Sequence, residues 1–306
     1  MQKVLVTGGS GFLGSNVVKK LKTDYRVICG YHNFPPDEKN IIKLDFNTIS
    51  AIKSRLNKIE PEIVIHTAAL SKPGLCHEYP EKASIVNVNA TSEIAAWCQK
   101  NAARLIFTST DMVYSGQSPI YKEDDQINPV NKYGQTKAAA EKTIQKNCQN
   151  FVILRLALMH GRGIYKRNYS SEWLETDLRK KQKDCESEPI GLYTDQYRSM
   201  ISVKNVAMVL KELIEKNTTG IFNIGGPDAI NRYEFGTLLC NLLGISKKLI
   251  KPVRFRDINP KVQSPLNVTL DVSKAKNELQ TELLPIKEGL RLEYGTKSDA
   301  GLTKLG

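Results

Sequence analysis

Several features that would define a function are missing from this chain of 306 residues. Its six cysteines are scattered, no two form a Cys-x-x-Cys pair, and none has a histidine at zinc-ligand spacing. This pattern predicts reduced thiols, as in a cytoplasmic protein, and no metal site. The longest apolar stretch, residues 151–159, is interrupted by Arg155 and is too short to span a bilayer. The first residues run directly into a strand pattern, so we expect neither a cleaved leader nor a membrane partner.

The chain also lacks the motifs that would explain its charge by nucleic-acid binding. Its net charge is +12 and its pI is about 9.3, with basic residues concentrated at 179–183 and 247–256. No helix-turn-helix, zinc-finger or aromatic-basic pattern accompanies these residues. We therefore interpret both segments as solvated faces that also attract a small polyanionic ligand, and expect no nucleic acid as a partner.

What is present is a regular alternation of strand and helix patterns up to about residue 157. The strand patterns lie at 3–7, 26–29, 40–44, 62–66, 104–108 and 151–154, and the helix patterns at 12–21, 51–59, 81–99 and 133–147. Such alternation requires a parallel sheet with helices on both faces. The prediction is an α/β fold, a doubly wound parallel sheet of the nucleotide-binding Rossmann type.

The pattern changes after Gly161, where the chain becomes polar and shows no repeat. A helix is predicted at 202–216, a strand at 220–224, and a further helix start at Asn231, where an acid follows three residues later. We expect residues 1–160 to form the dinucleotide-binding domain, to which residues 200–225 return. Residues 161–306 would mainly form a smaller, substrate-binding α/β domain.

A glycine-rich segment joins the first predicted strand to the first predicted helix. Residues 7–14 read Thr-Gly-Gly-Ser-Gly-Phe-Leu-Gly. In this context Gly8 permits a tight turn, Gly11 lets the backbone approach a pyrophosphate, and Gly14 lets the helix pack close to the sheet. The helix N-terminus then faces the anion. The position of the segment, more than its glycines alone, predicts dinucleotide binding rather than a simple turn.

The type of dinucleotide depends on the end of the second strand, where NAD-binding proteins usually place an acid for the ribose diol. Residues 30–33 read Gly-Tyr-His-Asn, so no carboxylate there would repel a 2′-phosphate. This favours NADP(H) over NAD(H), although no arginine occupies the position either. Asp45 follows the third predicted strand, where it would either accept a hydrogen bond from the adenine amino group or cap a helix that begins near residue 48.

Tyr133 and Lys137 lie four residues apart in a predicted helix and therefore share a helix face. A neighbouring ammonium stabilises a phenolate, so we expect Lys137 to lower the pKa of Tyr133 toward neutrality. Such a tyrosine can act as a proton donor and acceptor. This spacing also occurs by chance in packed helices, so the interpretation depends on the dinucleotide loop upstream.

Five segments, in their order and spacing, resemble the extended short-chain dehydrogenase/reductase family, and within it the dTDP-4-dehydrorhamnose reductase-like branch. They are residues 7–14, Thr-Ala-Ala at 67–69, Asn-Val-Asn-Ala-Thr at 87–91, Thr-Ser-Thr-Asp at 108–111, and 133–137. Residues 194–199, 225–227 and 270–274 also resemble this branch. The resemblance covers nearly the whole chain.

The resemblance implies a role for each matching residue. Thr110 corresponds to the hydroxyl that binds the substrate carbonyl, Tyr133 to the proton donor, and Lys137 to the residue that binds the nicotinamide ribose and lowers the tyrosine pKa. The other expected cofactor contacts are Gly8, Gly11, Phe12, Leu13, Asp45, Phe46, Ala68, Ala69, Asn87 and Ser109. The expected substrate contacts are Thr110, Asp111, Met112, Leu158 and Arg198.

The implied reaction is the NADP(H)-dependent reduction of the C4 ketone of a nucleotide-linked 4-keto-6-deoxysugar. Met112 stands where relatives often have an aromatic residue and Leu158 where they have a tryptophan, so the sugar need not be the rhamnose precursor. Arg198 replaces a small residue of the branch pattern, and would either bind a diphosphate or form a buried ion pair. We expect His160 to be packed at an interface rather than catalytic.

Two other functions remain open. An NAD-dependent nucleotide-sugar epimerase would use the same Thr, Tyr and Lys set, whereas a dehydratase is disfavoured because Met112 replaces the glutamate that this class places after the aspartate. The other is a non-catalytic, cofactor-binding regulatory subunit similar to the methionine adenosyltransferase β subunit, which resembles the same branch. If the protein is an enzyme, its expected small-molecule partner is a nucleotide sugar. Our hypothesis for its assembly is a homodimer.

Overall fold

The computed structural model describes residues 1–165, 172–184, 188–258 and 260–295. In the first half of the chain, strands and helices alternate as the apolar patterns indicate. These elements are β1 Lys3–Thr7, α1 Phe12–Leu21, β2 Arg26–Tyr31, β3 Ile41–Lys43, α2 Ile49–Ile59, β4 Ile63–His66, α3 Pro73–Glu78, α4 Pro80–Ser84, α5 Ala90–Lys100, β5 Arg104–Thr110, α6 Lys132–Asn147 and β6 Phe151–Leu156.

The second half contains shorter strands and five further α-helices within the described ranges. They are β7 Met159–His160, α7 Trp173–Lys181, β8 Ile190–Tyr193, β9 Tyr197–Arg198, β10 Ile201–Ser202, α8 Val203–Glu215, β11 Gly220–Ile224, β12 Ile230–Asn231, α9 Arg232–Leu243, β13 Ile250–Val253, α10 Ser273–Glu278 and α11 Ile286–Tyr294. Asn231 caps α9 through a reciprocal pair of hydrogen bonds with Glu234, as the sequence pattern predicts.

Seven strands form one sheet in the order β11-β6-β5-β4-β1-β2-β3. Every neighbouring pair in this sheet is parallel. The strand order reverses between β1 and β4, and in such sheets ligands bind in the crevice at the carboxyl ends of the strands beside the reversal. The prediction of a doubly wound Rossmann sheet is confirmed.

Helices cover both faces of the sheet because successive strand residues point to opposite faces and are apolar on both. Val4 and Val6 of β1 pack with α1 and α8 on one face. Leu5, between them, packs with α2, α5 and α6 on the other face. A third apolar cluster joins α7, α9 and α11 to β8 and β13.

The helix predicted at 81–99 is interrupted in the structure. Between α4 and α5, the residues Ile85–Asn89 form one π-helical turn in which the side chain of Asn87 is buried. Single π-helical turns are frequent at functional sites. An apolar periodicity does not reveal this one inserted residue, because the pattern on either side continues.

The chain returns to the main sheet after β10. α8 packs on α1, and β11 forms the edge strand beside β6. The third apolar cluster is assembled from segments that lie before and after these two elements in sequence. The division into two domains at residue 160 stays a prediction.

A buried ion pair holds α6 against the sheet. Glu141 of α6 accepts hydrogen bonds from Arg155 of β6, at 2.9 Å from Nη2 and 3.1 Å from Nε. Both side chains are at most 4% exposed. Arg155 also donates to the Tyr114 hydroxyl at 2.8 Å, and Glu141 accepts from the Ser109 hydroxyl. Since both charges are removed from water, each depends on the other for compensation.

We predict that Glu141→Gln lowers the free energy of unfolding by about 3 kcal/mol, because it leaves the buried Arg155 charge without its counter-ion. Urea denaturation measures this, and the double variant Glu141→Gln/Arg155→Met should recover part of the loss. Glu288→Gln is the control, since Glu288 pairs with Arg291 at the surface and should contribute less than about 1 kcal/mol. Equal midpoints for Glu141→Gln and the wild type would show that the pair is dispensable.

Candidate active site

The segment between β1 and α1 makes a tight turn at the carboxyl edge of the sheet. Gly8 has a φ of 64°, in the left-handed region that glycine adopts without strain. A Cβ at Gly8 would lie 2.9 Å from the Ala68 backbone, and one at Gly14 would overlap the Gly8 carbonyl. Gly11 is the N-cap of α1 and, as a glycine, makes no side-chain cap hydrogen bond. In dinucleotide-binding turns of this kind, the N–H groups of the first helical turn are the donors that bind a pyrophosphate.

Four further predicted cofactor contacts lie beside this turn. Phe12 is partly buried in the first turn of α1, whereas the Leu13 side chain belongs to the apolar core, so only the Leu13 backbone can contact a ligand. Ala68 and Ala69 follow β4 and are partly buried. The Ala68 N–H donates to the Thr7 hydroxyl at 3.2 Å, which fixes the segment after β4 to the end of β1. Their cofactor contacts stay predictions.

Asp45 does not cap a helix. Its Oδ1 accepts from the backbone and side-chain nitrogens of Asn47 at 3.0 and 2.8 Å, and α2 begins after Thr48. The Asn47 hydrogen bonds lower the pKa of Asp45. The same oxygen lies 3.5 Å from Nε2 of His32, so a carboxylate from another segment approaches residues 30–33, which themselves contain none. The adenine contacts of Asp45 and of the buried Phe46 stay predictions.

The Thr110 hydroxyl lies close enough to the Tyr133 side chain to lower its pKa, at the place where α6 meets the end of β5. Asn131 caps α6 by accepting from the Gly134 N–H at 2.9 Å. A Cβ at Gly134 would overlap the Met112 carbonyl, so this turn of α6 lies directly against the turn after β5. The Thr110 hydroxyl also accepts from the Met112 N–H at 3.2 Å. A cap and a close backbone contact therefore set the position of Tyr133.

The expectation that Lys137 lowers the pKa of Tyr133 is wrong for this arrangement. Burial raises the pKa of Tyr133, the nearby Asp111 carboxylate raises it further, and the Thr110 hydroxyl opposes this only in part. Lys137 is not among the groups that shift the pKa of Tyr133. Its Nζ lies 4.0 Å from the centroid of the Phe107 ring. Burial lowers the pKa of Lys137 to about 7, partly offset by the Glu141 carboxylate.

Arg198 forms a buried ion pair with Asp111, which was one of the two roles predicted for it. It is 1% exposed, and its Nε lies 3.7 Å from Oδ2 of Asp111. Its other nitrogens donate to the carbonyls of Tyr197, Pro265 and Leu266 at 2.7, 2.8 and 3.0 Å. Burial raises the pKa of Asp111, with Arg198 opposing, and lowers the pKa of Arg198 to about 10. The guanidinium is thus turned to protein groups, which leaves the diphosphate hypothesis without geometric support.

Asn87 and Ser109 use their side chains on protein groups. Asn87 donates to the Leu70 carbonyl at 3.1 Å and to the Thr136 hydroxyl at 3.0 Å, and accepts from the Leu70 N–H at 2.8 Å. Ser109 donates to Glu141. Both residues therefore fix the walls of the crevice, and direct contacts with a cofactor stay predictions.

The predicted pocket residues Met112 and Leu158 are both partly buried. Met112 Sδ accepts a weak hydrogen bond from Asn131 Nδ2 at 3.9 Å, and Leu158 packs against the third apolar cluster. His160 is buried, with its ring centroid 5.5 Å from that of Phe235, and neither ring nitrogen has a hydrogen-bond partner in the described part of the chain. Burial lowers the pKa of His160 to about 3, so it is a packed, neutral histidine.

The sequence patterns missed several polar residues around the crevice. His66 and Arg155 each lie in a strand that is buried throughout or nearly so, and a polar residue in such a strand is the signal that would have found them. Arg232 donates to Gln196 at 3.2 Å, and its charge acts on Asp111. No spacing in the sequence connects residues 111, 196 and 232.

Neither a membrane span nor a metal cluster is found in the ranges that the structure describes. None of the helices there has both the length and the apolar character to cross a bilayer. No three histidine, cysteine, aspartate or glutamate side chains there come together in a way that could hold a metal ion.

Three known proteins illustrate what the chain is similar to. It is 28% identical to methionine adenosyltransferase 2 subunit beta from Xenopus laevis over 297 residues, which are 95% of this chain and 86% of that protein. It is 28% identical to a probable low-salt glycan biosynthesis reductase, Agl14, from Haloferax volcanii, over 90% of this chain and 91% of that one. A crystal structure of dTDP-4-dehydrorhamnose reductase from Bacillus anthracis in complex with NADP superposes with a TM-score of 0.84 and 23% identity, covering 96% and 99% of the two chains.

The fold defines a Rossmann-type protein, and its family match is to the short-chain dehydrogenase/reductase class. Residues 1–295 match the family described as the RmlD substrate binding domain, and the chain belongs to this family. The predicted resemblance to the dTDP-4-dehydrorhamnose reductase-like branch is confirmed, and this family agrees with the expectation of an NAD(P)-dependent oxidoreductase.

The pKa of Lys137 predicts a pH-dependent effect of Lys137→Met. Native Lys137 loses its proton near pH 7, whereas the unfolded side chain does so near 10.5. Between these values the unfolded wild type binds more protons than the native state, so wild-type stability rises with pH relative to the variant. The free energy of unfolding of the wild type relative to that of Lys137→Met should therefore rise by roughly 1 kcal/mol per pH unit from pH 7 to 9, as measured by urea denaturation.

Lys142→Met is the matched control, because Lys142 is exposed on the same helix. Its stability difference from the wild type should not follow this trend. A difference for Lys137→Met that stays constant from pH 7 to 9 would contradict the lowered pKa.

Proposed function

We propose that this chain is an NADP(H)-dependent reductase acting on the C4 ketone of a nucleotide-linked 4-keto-6-deoxysugar. The observation that carries the proposal is the proximity of the Thr110 hydroxyl to Tyr133 at the contact between β5 and α6, with Lys137 one helical turn further along. The turn at Gly8 fits the pyrophosphate of a dinucleotide for the steric reasons given above. When bound, the cofactor would supply the hydride.

The pair of hydroxyls can hold one carbonyl oxygen and protonate it. Because its pKa is raised, Tyr133 carries its proton at neutral pH and can give it to an oxygen on which negative charge develops. Thr110 offers a second hydrogen bond to that oxygen. Lys137, with a pKa near 7, becomes charged when an anion lies close to it. A charged Lys137 would then stabilise the phenolate that proton transfer leaves behind.

The surroundings of the pair are compatible with a deoxysugar. Met112 donates its N–H to Thr110 and places a partly exposed apolar side chain nearby. An apolar side chain suits a sugar that carries a methyl group at C6. The relative Agl14, a probable reductase of glycan biosynthesis by its name, supports a carbohydrate substrate for the proposal.

NADP(H) is proposed over NAD(H) on two grounds. No acid lies in residues 30–33, and the similar Bacillus anthracis reductase is in complex with NADP. The Asp45 carboxylate near His32 acts in the opposite direction, because it would repel a 2′-phosphate. The proposed preference is therefore smaller than a site with an arginine clamp would give.

A regulatory role is the second candidate, and the similarity to methionine adenosyltransferase 2 subunit beta over 95% of this chain favours it. Such a protein could retain the dinucleotide turn and the Tyr133–Lys137 pair while binding a partner enzyme. An NAD-dependent epimerase is an alternative with the same three catalytic side chains. A dehydratase is disfavoured because Met112 follows Asp111 where that class needs a glutamate.

We predict that Tyr133→Phe reduces turnover by about 100-fold or more, because it removes the proton donor. NADPH affinity should stay within about threefold, since the ring is retained. The measurement is NADPH consumption with a panel of dTDP- and UDP-4-keto sugars, beside a fluorescence titration of NADPH. Tyr79→Phe, at a half-exposed tyrosine on the surface, is the control and should behave as the wild type.

Two outcomes separate the candidates. Turnover by Tyr133→Phe at the wild-type rate would contradict the role of Tyr133 as the proton donor. A wild type that binds NADPH but reduces none of the sugars would support the regulatory role instead.

We also predict that NADPH binds more tightly than NADH. Fluorescence titrations of NADPH and NADH at low and high salt measure this preference. Salt screens the electrostatic contribution of the 2′-phosphate, which only NADPH carries, and it affects the parts that the two dinucleotides share to the same extent. The preference should therefore narrow at high salt. Tighter binding of NADH would favour the epimerase.

A further inference from the structure

A continuous series of buried hydrogen bonds runs beneath the crevice, starting at the dinucleotide turn. Thr7, the last residue before Gly8, bonds through its hydroxyl to Nδ1 of His66 at 2.7 Å. Nε2 of His66 bonds to the hydroxyl of Thr91 at 3.0 Å. Thr91 donates that hydroxyl to the Asn87 carbonyl at 2.8 Å. The end of β1 is thus connected to the π-helical turn through one imidazole.

The series continues from the π-helical turn to the catalytic helix. Asn87 donates from Nδ2 to the Thr136 hydroxyl at 3.0 Å. Thr136 donates its hydroxyl to the carbonyl of Tyr133 at 2.8 Å. Every connecting side chain is at most 5% exposed, so water does not compete for these bonds, and each unmade bond would cost more than it would at the surface.

The partners define one direction for the bonds around His66. The Thr91 proton goes to Asn87, so Thr91 accepts from the Nε2–H of His66. Nδ1 of His66 then accepts from the Thr7 hydroxyl, whose oxygen accepts from the Ala68 N–H. Burial, and next the charge of Lys137, lower the pKa of His66 to about 3. The imidazole is therefore neutral and in a single tautomer near neutral pH.

His66 also lies between two aromatic rings that belong to opposite ends of the site. Its ring centroid is 5.7 Å from that of Phe46, beside the predicted adenine position, and 5.6 Å from that of Phe107. Phe107 also contacts Lys137, whose Nζ lies 4.0 Å from the Phe107 ring centroid. A displacement of His66 would therefore reach Lys137 by packing as well as by hydrogen bonds.

We infer that His66 is a positioning residue that fixes the dinucleotide turn relative to Tyr133 and Lys137, acting through Thr7 on one side and through Thr91 on the other. The inference rests on the dinucleotide binding of the proposed function, but not on the identity of the sugar or on turnover. Its consequence is that a bond broken at Thr91 weakens the contribution of Lys137 to dinucleotide binding.

The test uses Thr91→Val, which has nearly the same shape but removes the central hydroxyl, and Thr91→Ser, which keeps it. Fluorescence titration should show NADPH affinity reduced about tenfold in Thr91→Val and within about threefold of the wild type in Thr91→Ser. In a double-mutant cycle, Lys137→Met should cost much less affinity in the Thr91→Val background than in the wild type. A purely structural role would lower stability without this coupling.

Thr143→Val is the control, because Thr143 lies on α6, the helix of Lys137, and its hydroxyl bonds locally, to the Ala139 carbonyl at 3.0 Å. Its effect and that of Lys137→Met should be additive. If Thr91→Val does not fold, the pair Thr136→Val and Thr136→Ser breaks and keeps the far end of the series, with the same expected results.

The outcomes separate this inference from the proposed function. Additive effects of Thr91→Val and Lys137→Met, or equal affinity losses in the Val and Ser variants, would overturn the role of His66 while leaving dinucleotide binding intact. A wild type that fails to bind NADPH or NADH would overturn the proposed function and the inference with it. If the wild type reduces no sugar but Thr91→Val and Lys137→Met are coupled in NADPH affinity, the inference is supported and the reductase function is not.

Discussion

The close contact between α6 and the end of β5 is the constraint on which the site depends. Gly134 lies against the Met112 carbonyl with no room for a side chain, and the Asn131 cap fixes the first turn of the helix at that point. Tyr133 consequently meets Thr110 across the contact. The Glu141–Arg155 ion pair secures the middle of the same helix. Two of the three catalytic candidates are therefore positioned by backbone packing, which side-chain motion cannot easily disturb.

Electrostatics inside the crevice differ from what two residues at helical spacing imply. Burial favours the uncharged forms of both Tyr133 and Lys137, and the carboxylates that act on them, Asp111 on Tyr133 and Glu141 on Lys137, are each paired with a buried arginine. A site that is nearly neutral without ligand, and whose lysine gains a proton when an anion arrives, couples ligand binding to proton uptake. That property suits a dinucleotide-binding protein whether it is an enzyme or a regulatory subunit.

Much of the fold could be predicted from the sequence, because its signals are local. The bounds of β1 and α1 follow from an apolar run, a glycine-rich turn and a helical period, and they agree with the structure. The π-helical turn at Asn87 could not be predicted, since one inserted residue leaves the flanking periods unchanged. The sign of the Tyr133 pKa shift and the Asp111–Arg198 ion pair were also beyond the sequence. They depend on distances between segments that are about 20 to 90 residues apart, which spacing does not encode.

The return of the chain to the main sheet has a consequence for how the protein is made. α8 covers the apolar face of α1, and β11 pairs with the edge of β6. Neither surface is covered until residues beyond 200 have been synthesised. During synthesis the first 160 residues leave the ribosome with an apolar helix face and a strand edge uncovered. Such surfaces invite association with other chains. A fragment ending at residue 160 should accordingly aggregate, and the whole chain should fold as one cooperative unit once α8 and β11 have emerged.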